Sequence, residues 1–138
     1  MINLVKLCVG ADDISDLVSW QTHLQNTYGK VFHTTRMVPK RQADLLEGGS
    51  IYWVIKRQIR VRQLITDIEE FTDGQGIRRC HLHLDPQLIL TRLMPRRPFQ
   101  GWRYLTKEDA PVDAPDNVEI DEEMPEALRS ELTELGLL

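Results

Sequence analysis

The sequence predicts an α+β domain: a small curved or barrel-like sheet, mostly antiparallel, with two or three helices packed on it. Three observations carry that prediction. Two stretches space their apolar residues as helices do, five or six short stretches read as strands, and most of those strands follow one another directly. Regular alternation of strand and helix is missing, which argues against a doubly wound parallel sheet.

Taken in order, Ile2 to Val9 is apolar on both faces, the pattern of a central strand. Asp12 or Asp13 suits the N-cap of the next element, since a carboxylate there accepts orphan N–H groups and complements the helix dipole. Ile14, Leu17, Val18, Gln21, Leu24 and Tyr28 then share one helical face, and Gly29 supplies the stop. Val31 to Val38 is β-like. Pro39 opens a short helix through Leu45 and Leu46, ended by Gly48-Gly49. Ser50 to Lys56 (SIYWVIK) is a strand with large residues on both faces, which places Trp53 in the core.

Ile59 to Ile68 follows closely enough to form a hairpin, although its turn lacks an Asn-Gly signal. After the turn DGQG at 73–76 the chain alternates cleanly to Asp85. Arg78, Cys80, Leu82 and Leu84 share one face, and Arg79, His81, His83 and Asp85 share the other. Pro86 breaks that strand and Leu88 to Leu93 starts another. Residues 1–111 form a single globular domain. From 112 to 138 the composition turns to Pro, Asp and Glu, as in a tail, with Leu128, Leu132 and Leu135 spaced for a short terminal helix.

Hydrophobic residues make up 41% and charged residues 28%, ordinary globular usage. No apolar run approaches the ~20 residues of a membrane helix, so no membrane partner is expected. The opening MINLVKLCVG reads as a mature first strand and not as a signal peptide, because Asp12 and Asp13 follow at once and no small-residue cleavage site is present. Cys8 and Cys80 read as reduced, buried thiols of a cytoplasmic protein. The net charge of -4 conceals an asymmetry: residues 30–107 carry a balance of +8, and residues 108–138 one of -10. A basic body with an acidic tail points to a polyanion, or to a tail that meets another surface.

Basic residues therefore lead the functional reading. Arg36, Lys40 and Arg41 flank the helix start at Pro39, where exposed N–H groups favour an anion. Arg60 and Arg62 fall on one strand face. Arg96, Arg97 and Arg103 crowd into MPRRPFQGWRYL (Met94 to Leu105), beside Phe99, Trp102 and Tyr104, which could stack on bases. Pro95 and Pro98 cannot donate to a ladder, so that stretch is an edge or a surface crossing. The competing reading makes it a structural brace, with the arginines merely solvated and the aromatics in the core.

His81 and His83 face the same way on a strand and could address a metal with His33 or Asp85, but no further ligand sits at a characteristic spacing. No metal and no cofactor is assigned. The phosphate loops GxGxxG and GxxxxGK(S/T) are missing, and Ser50 after two glycines is not a nucleophile elbow. Paired acids occur only in the tail, so no reaction is indicated.

Several stretches together carry a family resemblance. KLCVG (Lys6 to Gly10), RMVPKR (Arg36 to Arg41), GGSIYWVIK (Gly48 to Lys56), the Arg62-Gln63 pair, and RRPFQGWRYL with EDAP (Glu108 to Pro111) resemble the bacterial family catalogued as domain of unknown function 1489. The resemblance spans Leu4 to Pro111 and leaves the tail outside. It implies a bacterial, alphaproteobacterial, cytosolic protein and brings no activity with it. In order and size of elements the chain also resembles PUA-like domains, an RNA-associated barrel group, by analogy alone.

The expectation is thus a binder of RNA or another phosphorylated ligand, through Arg36, Lys40, Arg41, Arg60, Arg62, Arg96, Arg97, Trp102, Arg103 and Tyr104. Two alternatives stay open. One is a protein–protein adaptor whose terminal LRSELTELGLL docks as an amphipathic helix. The other is an enzyme on a small phosphorylated substrate, which would need a pocket with a perturbed acid or histidine. The acidic tail could also fold back across the basic body and compete with a polyanion.

Overall fold

A computed structural model describes residues 2–114. In chain order it contains β1 (Ile2–Leu7), α1 (Ile14–Tyr28), β2 (Val31–Thr35), α2 (Gln42–Leu45), β3 (Ser50–Ile55), β4 (Gln58–Thr72), β5 (Arg78–Leu84), β6 (Ile89–Pro95) and β7 (Trp102–Thr106). The strands form one mixed sheet in the order β2-β5-β4-β3-β1-β7, with β6 paired to β4 off that path. β1 and β3 run parallel, and the other pairings are antiparallel. The α+β, mostly antiparallel expectation stands. A closed barrel does not: β2 and β7 end the path without meeting, so the sheet stays open. The terminal helix expected around Leu128 to Leu135 lies outside the described residues.

The long strand β4 gives the sheet its curvature. Its first half lies between β3 and β6, and its second half pairs with β5. Register shifts at Arg60 and near Thr66 bend it, because an extra unpaired residue locally increases twist. Pro86 interrupts the opposing edge, as its missing N–H requires, so β5 and β6 serve the two halves in turn.

The two apolar faces of β1 and β3 bury two clusters. Leu4, Ile51, Trp53, Val61, Ile65, Leu82 and Leu84 meet Leu17 of α1 and Leu45 of α2 on the inner face. Val5, Tyr52, Val54, Ile59 and Leu105 lie on the other, covered by Met94 and Phe99. Helix α1 is fixed at both ends. Asp13 is its N-cap, accepting from the Asp16 N–H at 3.1 Å while the Asp16 carboxylate accepts from the Asp13 N–H. Gly29 closes it with φ 74, a left-handed conformation that suits glycine.

Two local expectations change. The helix foreseen from Pro39 shortens to Gln42–Leu45, with Arg41 as its N-cap at a non-helical φ -93 and ψ 50; the Lys40 and Arg41 N–H groups both donate to the Tyr104 hydroxyl at 3.0 and 3.1 Å. The β-like stretch foreseen to Val38 stops at Thr35. The β3–β4 hairpin forms despite its unfavourable turn: Lys56 and Arg57 adopt φ of 52 and 65, each at about 1–2 kcal/mol.

Between α1 and the sheet lies a fully buried carboxamide. The Gln63 side-chain oxygen accepts from the Gln21 amide at 2.8 Å and from the Trp53 indole N–H at 3.1 Å. Its nitrogen donates to the Gln21 oxygen at 2.6 Å and to the Asp85 carbonyl at 2.9 Å. All four hydrogen-bonding positions are used, which also fixes which way the amide faces. Gln63→Leu would keep the volume and strand three buried partners, each costing about 1–3 kcal/mol. Urea unfolding should show a loss of about 3 kcal/mol, with an unchanged slope against denaturant.

Candidate functional site

The basic residues singled out in the sequence do not form one groove. Arg60 occupies the β4 bulge, is buried, and donates to the Ile55 carbonyl at 2.8 Å. Arg62 grips Asp113 with two hydrogen bonds of 2.7 and 3.0 Å and reaches the Ser50 hydroxyl at 3.0 Å. The bulge therefore removes the shared face expected for this pair. Arg41 pairs with Asp44 at 2.9 Å and lies 5.8 Å above the Tyr104 ring, while Arg36 and Lys40 are exposed. On the opposite face Arg96 and Arg103 each lie 5.3 Å from the Phe99 ring, and Arg97 is exposed.

The aromatics of MPRRPFQGWRYL act inward. Trp102 is buried and donates its indole N–H to the Met37 carbonyl at 2.5 Å, packing edge-on against Tyr104 at 4.8 Å. It has no free ring face on which a base could stack. Tyr104 is half-buried and holds the 40–41 backbone, as described above. Together they clamp the RMVPKR loop to β7. The turn before them is tight: Gly101 has φ 71, and a Cβ there would sit 2.2 Å from the Met37 sulfur.

His81 and His83 do share a face, beside Phe32 and Phe71. His81 bonds the Thr34 hydroxyl at 2.9 Å and His83 the Glu69 carboxylate at 3.1 Å. His33, proposed as their third partner, pairs in register with Leu82 on the core face and is turned away from them.

That turn brings His33 to a different place. A cleft of about 370 Å³ opens between α1 and the ends of β1 and β2. Leu17, Leu24, Phe32, Trp53 and Leu84 supply apolar walls, and Lys6, Cys8, Gln21 and His33 supply the polar atoms. Lys6 continues the core-facing side of β1 after Ile2 and Leu4, with Trp53 and Trp102 as its register partners on either side. It is only 9% exposed, and among the described residues its Nζ makes one long polar contact, donating to the Leu7 carbonyl at 3.4 Å. Among the described residues it forms no ion pair.

His33 stacks edge-on against Trp53 at 5.7 Å, and its buried Nε2 has no hydrogen-bond partner among the described residues. Burial, reinforced by the Lys6 charge, lowers its pKa to about 4. Burial also lowers Lys6 from the usual lysine range and raises the Cys8 thiol to about 11. Cys8 and Cys80 are both free; Cys80 is buried and Cys8 half-buried. At neutral pH the cleft therefore holds a neutral imidazole, an undissociated thiol and an amine that sheds its proton more readily than usual.

Lys6 and His33 were not among the binding residues foreseen. Lys6 could have been found: it is the one charge in the apolar run INLVKL, on the same alternating side as Ile2 and Leu4. His33 gives no such signal, since its inward direction depends on the register of β2 against β5.

Fold and cleft define an open-sheet α+β protein with a recessed, apolar, basic pocket. The chain belongs to the family described as protein of unknown function (DUF1489), whose family model matches residues 4–138. The match runs past Pro111, where the resemblance read from the sequence stopped, and takes in the acidic segment. No curated protein and no solved structure matches the chain, so the PUA-like analogy gains no structural counterpart. Among the described residues no helix is long and apolar enough to cross a membrane.

The depressed His33 pKa makes stability pH-dependent. Between pH 6.5 and about 4 the unfolded chain binds a proton that the folded one refuses, so stability falls as pH falls through that window. His81, also lowered by burial, adds a smaller share, while the salt-bridged Asp73, near 2, acts only at lower pH. Urea midpoints measured from pH 7 to 4.5 should decline, and His33→Asn should flatten most of the decline. An unchanged slope in that variant would remove His33 as the cause.

Proposed function

We propose that the chain binds a small organic carboxylate, its apolar body between α1 and the sheet and its acid group at Lys6 and His33. The observation that carries this reading is the pair of basic groups inside an apolar cleft, which among the described residues leave one without a counter-charge and one with an unpartnered nitrogen. An ammonium removed from water costs several kcal/mol unless something compensates it. A carboxylate would do so, and would also give His33 Nε2 a partner once the ring took up a proton. One recessed cation among tryptophan and leucine side chains suits a carboxylate on an apolar body better than a polyphosphate. The same cleft meets the condition set for an enzyme, a pocket with a perturbed histidine.

The probe is 3-phenylpropionate, followed by calorimetry near pH 6. Binding should saturate with uptake of a proton from the buffer, because an anion beside His33 raises its pKa. Lys6→Met should weaken it by roughly 10- to 100-fold, the worth of one charge-assisted hydrogen bond. Binding that is unchanged in Lys6→Met would sink the proposal.

A second reading has its own observation. Arg96 and Arg103 flank Phe99 with no carboxylate partner among the described residues, and Arg97 beside them is exposed. This half of the foreseen surface could hold RNA phosphates. A single-stranded oligonucleotide should then bind with steep salt dependence, and Arg96→Ala/Arg97→Ala/Arg103→Ala should flatten the slope by up to ~2 in log–log terms for three lost contacts. Equal affinity of the triple variant at low salt would dismiss it. The adaptor reading rests on residues 128–138, outside those described.

A further inference from the structure

We infer that Lys6 is an amine nucleophile that captures the carbonyl carbon of an apolar 2-oxo acid as an imine inside the α1 cleft. This rests on the carboxylate-binding reading and adds a reaction to it. The chain has five lysines, and Lys30, Lys40, Lys56 and Lys107 are all exposed. Lys6 alone is buried; it lines a cleft large enough for a ligand and stands without an ion-pair partner among the described residues. An amine in such surroundings reaches its neutral, nucleophilic form more readily than one in water. Its neighbours favour the same outcome: Cys8 stays a thiol and competes little, and His33, made more basic by the ligand's carboxylate, offers an unpartnered nitrogen to accept a proton.

The step balances within the cleft. The Nζ lone pair forms a C–N bond to the carbonyl carbon while the C=O π pair moves to oxygen. His33 takes a proton from the nitrogen and returns it to the oxygen, which completes the carbinolamine. The proton that the Lys6 ammonium first released to solvent is taken back by the hydroxyl, which leaves as water while the nitrogen lone pair forms C=N. The sum is ammonium plus carbonyl giving protonated imine plus water, with no oxidant or reductant. In a 2-oxo acid the carboxylate adjoins the reacting carbon, so a protonated imine keeps a positive charge beside it. The Lys6 nitrogen thus retains its anion partner through the reaction.

The test incubates the full chain with phenylpyruvate and cyanoborohydride at pH 7 and maps the reduced adducts by peptide mass spectrometry. Adduct at Lys6 should accumulate roughly tenfold faster than at any other lysine, because a ligand held in the cleft presents its carbonyl to that amine alone. Lys6→Arg keeps the charge without a nucleophilic amine, and should leave only slow labelling of the exposed lysines. Even labelling of all five lysines, or Lys6 labelled last, overturns the imine. If that same wild-type protein still binds 3-phenylpropionate, only the chemistry fails; if it binds neither compound, the carboxylate reading falls with it.

Discussion

The Gln63 carboxamide, fully buried, holds a helix, a strand and a crossing to the middle of β4 with four hydrogen bonds. It ties α1 through Gln21, β3 through Trp53, and the β5–β6 crossing through the Asp85 carbonyl, all from the middle of β4. A leucine core would let α1 slide on the sheet with little penalty, since apolar contact is non-directional. Four hydrogen bonds at a point without solvent allow one placement only. The cleft follows from that placement. Gln21, Leu17 and Leu24 on α1 form one wall and Trp53 forms part of the other, so the network that sets the helix also sets the width of the site.

Much of the scaffold was legible because its signals are local. The capping carboxylate at Asp13, the stop at Gly29, the double-faced apolar runs of β1 and β3, and the break at Pro86 each act within a few residues. Gln21 could be placed on the buried helix face, and Gln63 was visible as part of a family motif. Their pairing was not visible, since it spans 42 residues and depends on where α1 crosses the sheet. The errors have the same origin. Pro39 looks like a helix start, but the backbone stays non-helical through Arg41, and its loop is held by Tyr104, 64 residues from Lys40. Arg60 and Arg62 look like neighbours on one face until a bulge, unmarked by glycine, separates them.

MPRRPFQGWRYL shows how composition can mix two roles in one segment. Alternation on β7 sends Trp102 and Tyr104 to the core face and Arg103 to the other, where Val5 is its register partner. The aromatics brace the RMVPKR loop, while Arg96 and Arg103 share Phe99 across the sheet. Brace and basic surface are therefore not alternatives here; they are the two sides of one strand. Elsewhere along the chain Arg41 and Arg62 hold carboxylates and Arg60 holds a carbonyl.

The same alternation rule gives Lys6 its meaning. On a strand whose core side otherwise carries Ile2 and Leu4, a leucine at position 6 would pack against Trp53 and Trp102 without electrostatic cost. A lysine placed there loses hydration and depresses the neighbouring imidazole, and both effects work against folding. Gln63 in the same core uses all four of its hydrogen-bonding positions, whereas among the described residues the buried His33 Nε2 has no partner, so the shortfall lies at the cleft. Groups that weaken the fold while lining an opening are where local consistency gives way to function. The carboxylate proposal rests on that shortfall in the cleft; the exposed arginines of the outer surface cost the fold little.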